Sequence, residues 1–398
     1  MRENYFQTRL IRGRVAPSSP FGLRWDQQPQ IFKSYPPFLL RYPFDSLSLS
    51  ALGVVRCVAQ EVDYQGIPYR RLNIPSAGNL HPLELYLQCR NIDGLLDGLY
   101  YVSAHESSLI LLCDLEAEGV EPLVSLPTRW SGVIALVSCV AFRSFWKYQE
   151  RACRYIYLDS GYQLGALCDA MKDYDKNPTF LSIQDPHALG RLMGLCEEER
   201  LLCAVGFGTT KGRKVTVLNA PIMSVAGTTY FYPTSPLSPI VHFPWLSSSL
   251  TGVSLRRRSA RHFKAQPLER SLFEAFVALT KSYDENLTIF LIVTRGEEKH
   301  GVYHPRDGWI GACEQDQIVK AGYDQPFLKD ASLFVVFCGE PSPSTYALAG
   351  KIGWHICAIV EEHRWSSSGI GAYYDEEIGD IIQSSLPVLY LIAVGGEV

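Results

Sequence analysis

The chain runs through one series of elements twice, and a chain that does so is expected to fold as two like bodies. Gly98-Leu99-Tyr100-Tyr101 opens a hairpin strand, and Gly301-Val302-Tyr303 does the same later. The apolar run Gly132–Cys139 is a buried strand whose partner in the second half is Ala331–Cys338. A helix follows in each half, beginning near Leu158-Asp159-Ser160-Gly161 and near Leu348-Ala349-Gly350. Each half then closes on an apolar strand ending in Val-Gly, at Val205-Gly206 and Val394-Gly395. The offset between partners drifts from about 200 residues to about 190, as a duplicated domain allows.

Between the halves, residues 215–254 are rich in proline and hydroxyls. Pro221, Pro233, Pro236, Pro239 and Pro244 interrupt any helix, and Ser247-Ser248-Ser249 follows. The aromatics Tyr230, Phe231, Tyr232, Phe243 and Trp245 imply that this linker lies against the protein. The expected organisation is a first domain over 1–214, a linker over 215–254 and a second domain over 255–398. The hairpin cue Tyr100–Glu106 implies antiparallel pairing, and strands do not alternate regularly with helices. The expected class is therefore α+β, an antiparallel-dominated sheet flanked by helices, present twice. No G-x-G-x-x-G follows a strand and no G-x-x-x-x-G-K-[ST] occurs, so neither dinucleotide nor P-loop folds are supported.

Composition excludes several classes. The 398 residues are 47% hydrophobic, enough for a sizeable core, and the net charge of −4 with mixed signs argues against nucleic-acid or anionic-membrane partners. The longest apolar runs, around Val133–Phe142 and Leu386–Val394, are too short for a membrane span, and the first residues lack the apolar core of a signal peptide. None of the 11 cysteines forms a C-x-x-C, and most sit in apolar segments, so reduced buried thiols and a cytoplasmic location are expected. His300-x-x-x-His304 has zinc-ligand spacing, but Gly301 and Pro305 favour a turn, and no metal is expected.

The residues suited to chemistry lie in four short stretches. Pro75-Ser76-Ala77-Gly78-Asn79 is a turn running straight into the strand teeth Leu83, Leu85 and Leu87. Such a turn sets backbone N–H groups and an amide at a sheet edge, where a flat heterocycle can rest. Arg257, Ser259 and Arg261 gather guanidiniums and a hydroxyl just before an amphipathic stretch, suited to a phosphate and equally to a solvated basic turn. Ser368-Gly369-Ile370-Gly371-Ala372 has two glycines that permit close backbone approach to a ligand, or an ordinary turn between helices. Lys147-Tyr148 is either a surface pair or, with a desolvated Lys, a base with a proton partner.

Together these stretches resemble the FMN-dependent nitroreductase family. Pro75–Asn79 resembles its flavin-contacting Pro-Ser-x-x-Asn turn, and Arg257-x-Ser259-x-Arg261 its phosphate-binding motif. Gly369-Ile370-Gly371-Ala372 resembles its Gly-Ile-Gly-Ala-Phe loop, whose amides face the flavin ring near its reactive nitrogen. By that resemblance Ile370, Gly371 and Ala372 touch the cofactor, with Gly371 and Ala372 as the donors. Within the family, Lys147-Tyr148, Arg151-Ala152, Arg154-Tyr155 and Asp159-x-Gly161 resemble the SagB-type dehydrogenases, in which a Lys-Tyr pair is implicated in catalysis. The resemblance covers roughly residues 40–210 and 255–398 and implies a nitroreductase-like fold and bound FMN.

The two halves keep different motifs. The first has Pro75–Asn79 and Lys147-Tyr148. Where an Arg-x-Ser-x-Arg should stand it has only Leu39-Leu40-Arg41-Tyr42-Pro43, and Asn177–Ser182 lacks glycine. The second has the arginine and glycine motifs but only Lys281–Leu287 ahead of its first strand. Family members resemble one another in forming dimers that share flavins, so the resemblance implies an intramolecular pseudo-dimer holding one FMN. Family members also often place a Lys or Arg after the final strand. The second half has none there, while Lys211 and Arg213 follow the first half's strand as relics or as residues that reach across. The expected activity is FMN-dependent oxidation of an azoline-like or peptidic substrate with O2 as acceptor. NAD(P)H-dependent nitro or quinone reduction and a non-catalytic flavin-binding or scaffold role are the alternatives.

Overall fold

The structure is a computed structural model that describes residues 1–13, 23, 27–64, 67–218, 237–241, 243, 257–283 and 287–398. Helix α1 (Arg2–Gln7) begins the chain. Strand β1 (Arg41–Pro43) and the hairpin β2 (Val58–Tyr64) and β3 (Ile67–Leu72) precede six strands that, with β1, make the first sheet. These are β4 (Leu83–Arg90), β5 (Gly98–Ser103), β6 (Ser108–Asp114), β8 (Arg129–Val140), β9 (Thr179–Leu181) and β10 (Glu199–Lys211). The short β7 (Glu118–Gly119) and β11 (Thr216–Val217) pair with each other in parallel. Helices α2 (Phe142–Tyr148), α3 (Ala152–Met171) and α4 (Pro186–Leu192) fall between β8 and β10. Every residue of β4 and β5 is buried, as expected of central strands covered on both faces.

The second series begins with α5 (Arg270–Lys281) and the strands β12 (Thr288–Val293), β13 (Gly301–His304) and β14 (Gly308–Gly311). It continues through α6 (Gln315–Ala321), β15 (Leu333–Cys338), α7 (Pro343–Glu362), β16 (Trp365–Ile370), α8 (Asp375–Ile381) and β17 (Val388–Gly396). The first sheet has the order β1-β6-β5-β4-β8-β10-β9 and the second β14-β13-β12-β15-β17-β16. Leaving out β1, the two orders are the same strand for strand, and all pairings in both are antiparallel. The α+β class holds, with two like sheets as a duplicated domain gives.

The compact units are not contiguous in sequence. One comprises Met1–Gly22, Tyr148–Gly165 and Leu250–Val398, and the other Leu23–Lys147 and Ala166–Ser249. They are called the C-unit and the N-unit below. In the C-unit, Phe290, Ile292, Phe334, Val336 and Leu391 pack one sheet face against Ile318 of α6 and Ile378 of α8. In the N-unit, Tyr86, Tyr101, Trp130, Ile134 and Leu136 pack with Leu189 of α4.

Two boundaries differ from the sequence reading. Helix α7 begins five residues before Leu348, because Ser342 and Thr345 form a reciprocal capping box and Pro343 occupies the first turn. Helix α3 begins six residues before Leu158, continuing a 3-10 turn over Gln149–Arg151. The described parts of the linker pack on the N-unit: Leu218 donates its N–H to Gly119, Ile240 to Leu202, and Phe243 stacks on Phe180. Tyr230, Phe231, Tyr232 and Trp245 lie outside the described residues. Among the described residues no helix is long and apolar enough to cross a membrane.

Candidate functional site

In the N-unit the Pro75–Asn79 turn leads from the β3 hairpin into central strand β4. Ser76 is extended, Ala77–Asn79 forms a single 3-10 turn, and Gly78, Asn79 and His81 all have positive φ, at 62°, 58° and 42°. Glycine and asparagine tolerate that region, while for His81 it must be imposed by neighbours. The neighbours are present. Ser76 Oγ accepts from the His81 N–H at 3.0 Å, and the His81 carbonyl accepts from Arg143 Nη1 at 2.8 Å. Arg143 Nη2 is in turn 2.6 Å from Glu84 Oε1, a carboxylate with no exposed side-chain area. Asn79 is engaged at both ends of its amide: Nδ2 donates to the Arg70 carbonyl at 2.8 Å, and Oδ1 meets His81 Nε2 at 2.9 Å. In this structure Asn79 therefore fixes the shape of the turn that carries it.

Lys147 is half-buried in the last turn of α2. Tyr148, also half-buried, meets the Tyr155 ring edge-to-face, with centroids 4.7 Å apart. The helical spacing that follows puts Arg151, Arg154 and Tyr155 on one face. All three are buried in the C-unit.

The C-unit holds the arginine motif along the edge of its sheet. Ser259 bridges to Ser367 of β16, the Ala260 N–H donates to the Ser367 carbonyl at 3.0 Å, and Lys264 exchanges backbone bonds with Gly396. Gly395 makes this possible, since a Cβ there would lie 2.6 Å from the Phe263 ring. Ser259 and Arg261 are exposed and Arg257 is half-buried, with its Nε buried and without a hydrogen-bond partner among the described residues. Arg257 stands near a buried hydroxyl pair, Tyr162 and Tyr390, whose oxygens are 3.1 Å apart. Burial holds both tyrosines protonated, against the opposing charge of Arg257. A guanidinium with an unspent buried donor, beside an exposed hydroxyl and a second guanidinium, fits a phosphate.

The glycine motif is the end of strand β16 and the bend before α8, where the sequence reading had a loop after a helix. Gly369 faces Tyr390, whose hydroxyl would lie 2.0 Å from a Cβ there. The Gly371 carbonyl accepts from Tyr155 Oη at 2.7 Å and from Arg151 Nη2 at 3.1 Å. The next carbonyl, of Ala372, accepts from Gln325 at 3.0 Å.

Sequence reasoning missed the group that supports this bend. Asp375, fully buried at the start of α8, accepts from Arg154 Nη1 at 2.6 Å and from the Leu10 N–H at 3.0 Å, with Arg151 Nη1 3.3 Å away. The i, i+3, i+4 spacing of Arg151, Arg154 and Tyr155 was the available signal. It also missed the N-unit's ion pair of the half-buried Lys33 and the buried Glu199, 2.6 Å apart. Burial opposes ionisation of Glu199, yet Lys33, Ser138 and Tyr86 together hold its pKa below the usual value.

No protein-family profile matches the chain. A Methanocaldococcus jannaschii protein, named provisionally as a nitroreductase, is 27% identical over 92 residues, 22% of this chain and 46% of that protein. The chain thus aligns with about half the length of that curated relative. Among solved structures, one from Anabaena variabilis, also named provisionally as a nitroreductase, matches with a TM-score of 0.75 at 18% identity. The match covers 100% of this chain and 99% of that one. The fold is therefore nitroreductase-like over the whole chain.

Proposed function

We propose that this chain, nitroreductase-like in fold, is an FMN-dependent oxidoreductase. The observation that carries the reading is the buried Nε of Arg257, unpartnered among the described residues, in one short segment with the exposed Ser259 and Arg261, a donor set that matches a phosphate. Arg257, Ser259 and Arg261 would hold the phosphate of FMN. By the sequence resemblance, Pro75, Ser76, Ala77, Gly78, Asn79, Ile370, Gly371 and Ala372 would contact its ring. FMN, when bound, supplies reversible two-electron acceptance. The protein supplies placement, exclusion of water and a proton acceptor.

The Lys147-Tyr148 pair, with the Arg151, Arg154 and Tyr155 pattern behind it, supports a SagB-type dehydrogenase as the finer reading. Lys147 would take the proton that an azoline ring carbon loses on oxidation, with Tyr148 as its partner. The substrate class is then an azoline-like or other small heterocyclic or peptidic compound, with O2 as the final acceptor. An NAD(P)H-dependent nitro or quinone reductase uses the same phosphate site and differs in its reductant.

A visible spectrum of the purified protein, with the flavin identified chromatographically, tests the reading. A yellow protein that releases FMN is expected. A colourless protein that takes up no added FMN would remove the proposal and leave a scaffold role. Anaerobic addition of NAD(P)H then separates the two activities: bleaching marks the reductase, while retained colour and oxygen-dependent oxidation of a peptide azoline mark the dehydrogenase.

A further inference from the structure

We propose that Tyr155 and Arg151 are positioning residues that aim and polarise the Gly371–Ala372 amide, and thereby set how strongly the protein prefers oxidised over reduced flavin. The inference rests on the FMN reading above and adds two residues and a property to it.

The geometry lies wholly within the C-unit. The Gly371 carbonyl receives two donors, Tyr155 Oη from the first turn of α3 at 2.7 Å and Arg151 Nη2 from the 3-10 turn before it at 3.1 Å. Tyr155 is itself driven by Arg151, whose Nε donates to the tyrosine oxygen at 2.9 Å. The guanidinium thus reaches the carbonyl both directly and through the phenol. Such chains strengthen each bond, and a charged donor strengthens them further.

Neither donor can easily turn away. The Arg151 side chain is 1% exposed, and its Nη1 is tied to the Thr8 carbonyl at 2.7 Å beside Asp375. The Tyr155 ring is held edge-to-face by Tyr148. It lies 3.1 Å from where a Cβ of residue 371 would stand, a tight approach that a side chain there would press on.

An amide is one rigid dipole. There is no cis peptide bond among the described residues, and in a trans peptide the carbonyl and the following N–H point in opposite directions. Fixing the Gly371 oxygen against Arg151 and Tyr155 therefore directs the Ala372 N–H away from them. Drawing electron density toward that oxygen makes the N–H a stronger donor. A ring nitrogen of oxidised flavin accepts such a bond, but after two-electron reduction it carries a proton of its own. The brace therefore favours the oxidised form.

Tyr155→Phe tests this, because it removes one hydroxyl and keeps the ring, its contact with Tyr148 and the Arg151 bond to Gly371. The readouts are the dissociation constants of oxidised and reduced FMN and the midpoint potential of the bound flavin. Oxidised FMN is expected to bind about three- to tenfold more weakly, the size of one lost hydrogen bond, with reduced FMN changed less. The potential then moves positive, by about 30 mV for a tenfold difference. Arg151→Lys, which keeps the charge and loses the fork, is expected to shift it in the same direction and serves if Tyr155→Phe does not fold. Equal weakening of both forms would show a merely structural role and overturn the inference, as would no change in either. Wild-type protein that binds no FMN would overturn the underlying reading instead.

Discussion

At the scale of single residues, Asp375 ties together the buried arginines of the C-unit. It is the carboxylate between Arg151 and Arg154, and all three side chains are 1% exposed or less. The remaining guanidinium donors are met by the carbonyls of Tyr5, Thr8 and Gly371, by Thr8 Oγ1 and by Tyr155. Those groups satisfy hydrogen bonds but offset no charge. Asp375→Ala should therefore cost about 3–5 kcal/mol, the usual cost of stranding a buried partner. A denaturant midpoint that barely moves would contradict this. His355 of α7 gives a pH signature. Burial first, then the charge of Lys351, push it down from 6.5 to about 3. Between those values the unfolded chain binds one proton more than the folded protein. Stability should therefore fall as pH falls through that window, by up to about 1.4 kcal/mol per pH unit, and not change from this source above it. His355→Gln should flatten that slope relative to wild type. Parallel stability–pH curves for the two proteins would assign the slope elsewhere.

At the scale of elements, α3 and α7 cross in the C-unit through glycines. A Cβ on Gly161 would lie 1.9 Å from the Ala347 carbonyl oxygen, and one on Gly350 would lie 2.0 Å from that of Leu158. The obstacles are backbone atoms and cannot rotate aside. The sign of a Gly350→Ala change is therefore informative. On an exposed helix alanine stabilises by roughly 1 kcal/mol, whereas here overpacking of about 1–3 kcal/mol or more should dominate. The expected result is a lower melting temperature, and a rise would mean that the helices are not in close contact. Legibility at this scale follows physical type. Strands β8 and β15 could be read because central strands bury continuous apolar runs. Strand β16 could not, because Ser366, Ser367, Ser368 and Gly369 carry no strand propensity and its order comes from pairing with β17. The start of α7 was written in Ser342-Pro343-Ser344-Thr345 and went unread. Arg151 and Arg154 showed their helical spacing, but their partner Asp375 stands more than two hundred residues on, and no local pattern announces it.

At the scale of the whole molecule, the two sheets share one strand order, yet the residues suited to a flavin are not shared. The C-unit keeps an arginine with an unspent buried donor. The N-unit arginine that the sequence offers in its place, Arg41 of β1, stands beside β6 at the sheet edge opposite β9, and is already committed to Glu106 at 2.5 Å and to the carbonyls of Tyr35, Pro36, Pro37 and Leu39. The counterpart of the glycine bend is β9, which pairs with β10 as β16 pairs with β17 but carries no glycine. In the other direction, the N-unit has the Pro75–Asn79 turn, while residues 281–287 of the C-unit have no Pro-Ser, and 284–286 lie outside the described residues. Under the FMN reading, one Arg-x-Ser-x-Arg motif and one Pro-Ser-x-x-Asn turn in the sequence predict one FMN per chain. Flavin absorbance after denaturation, counted against protein concentration, should return a ratio near one, and a ratio near two would require a second phosphate site in the N-unit. Arg257→Ala removes a charged hydrogen-bonding partner and should weaken FMN binding by about ten- to a hundredfold. Asn79→Ala frees the Arg70 carbonyl and His81, and should weaken binding by loosening the turn. Arg41→Ala separates the two units' contributions: it should lower the stability of the N-unit edge and leave the flavin count unchanged. If Arg41→Ala instead lowers flavin content while Arg257→Ala does not, the phosphate sits on the N-unit and the assignment of roles is reversed.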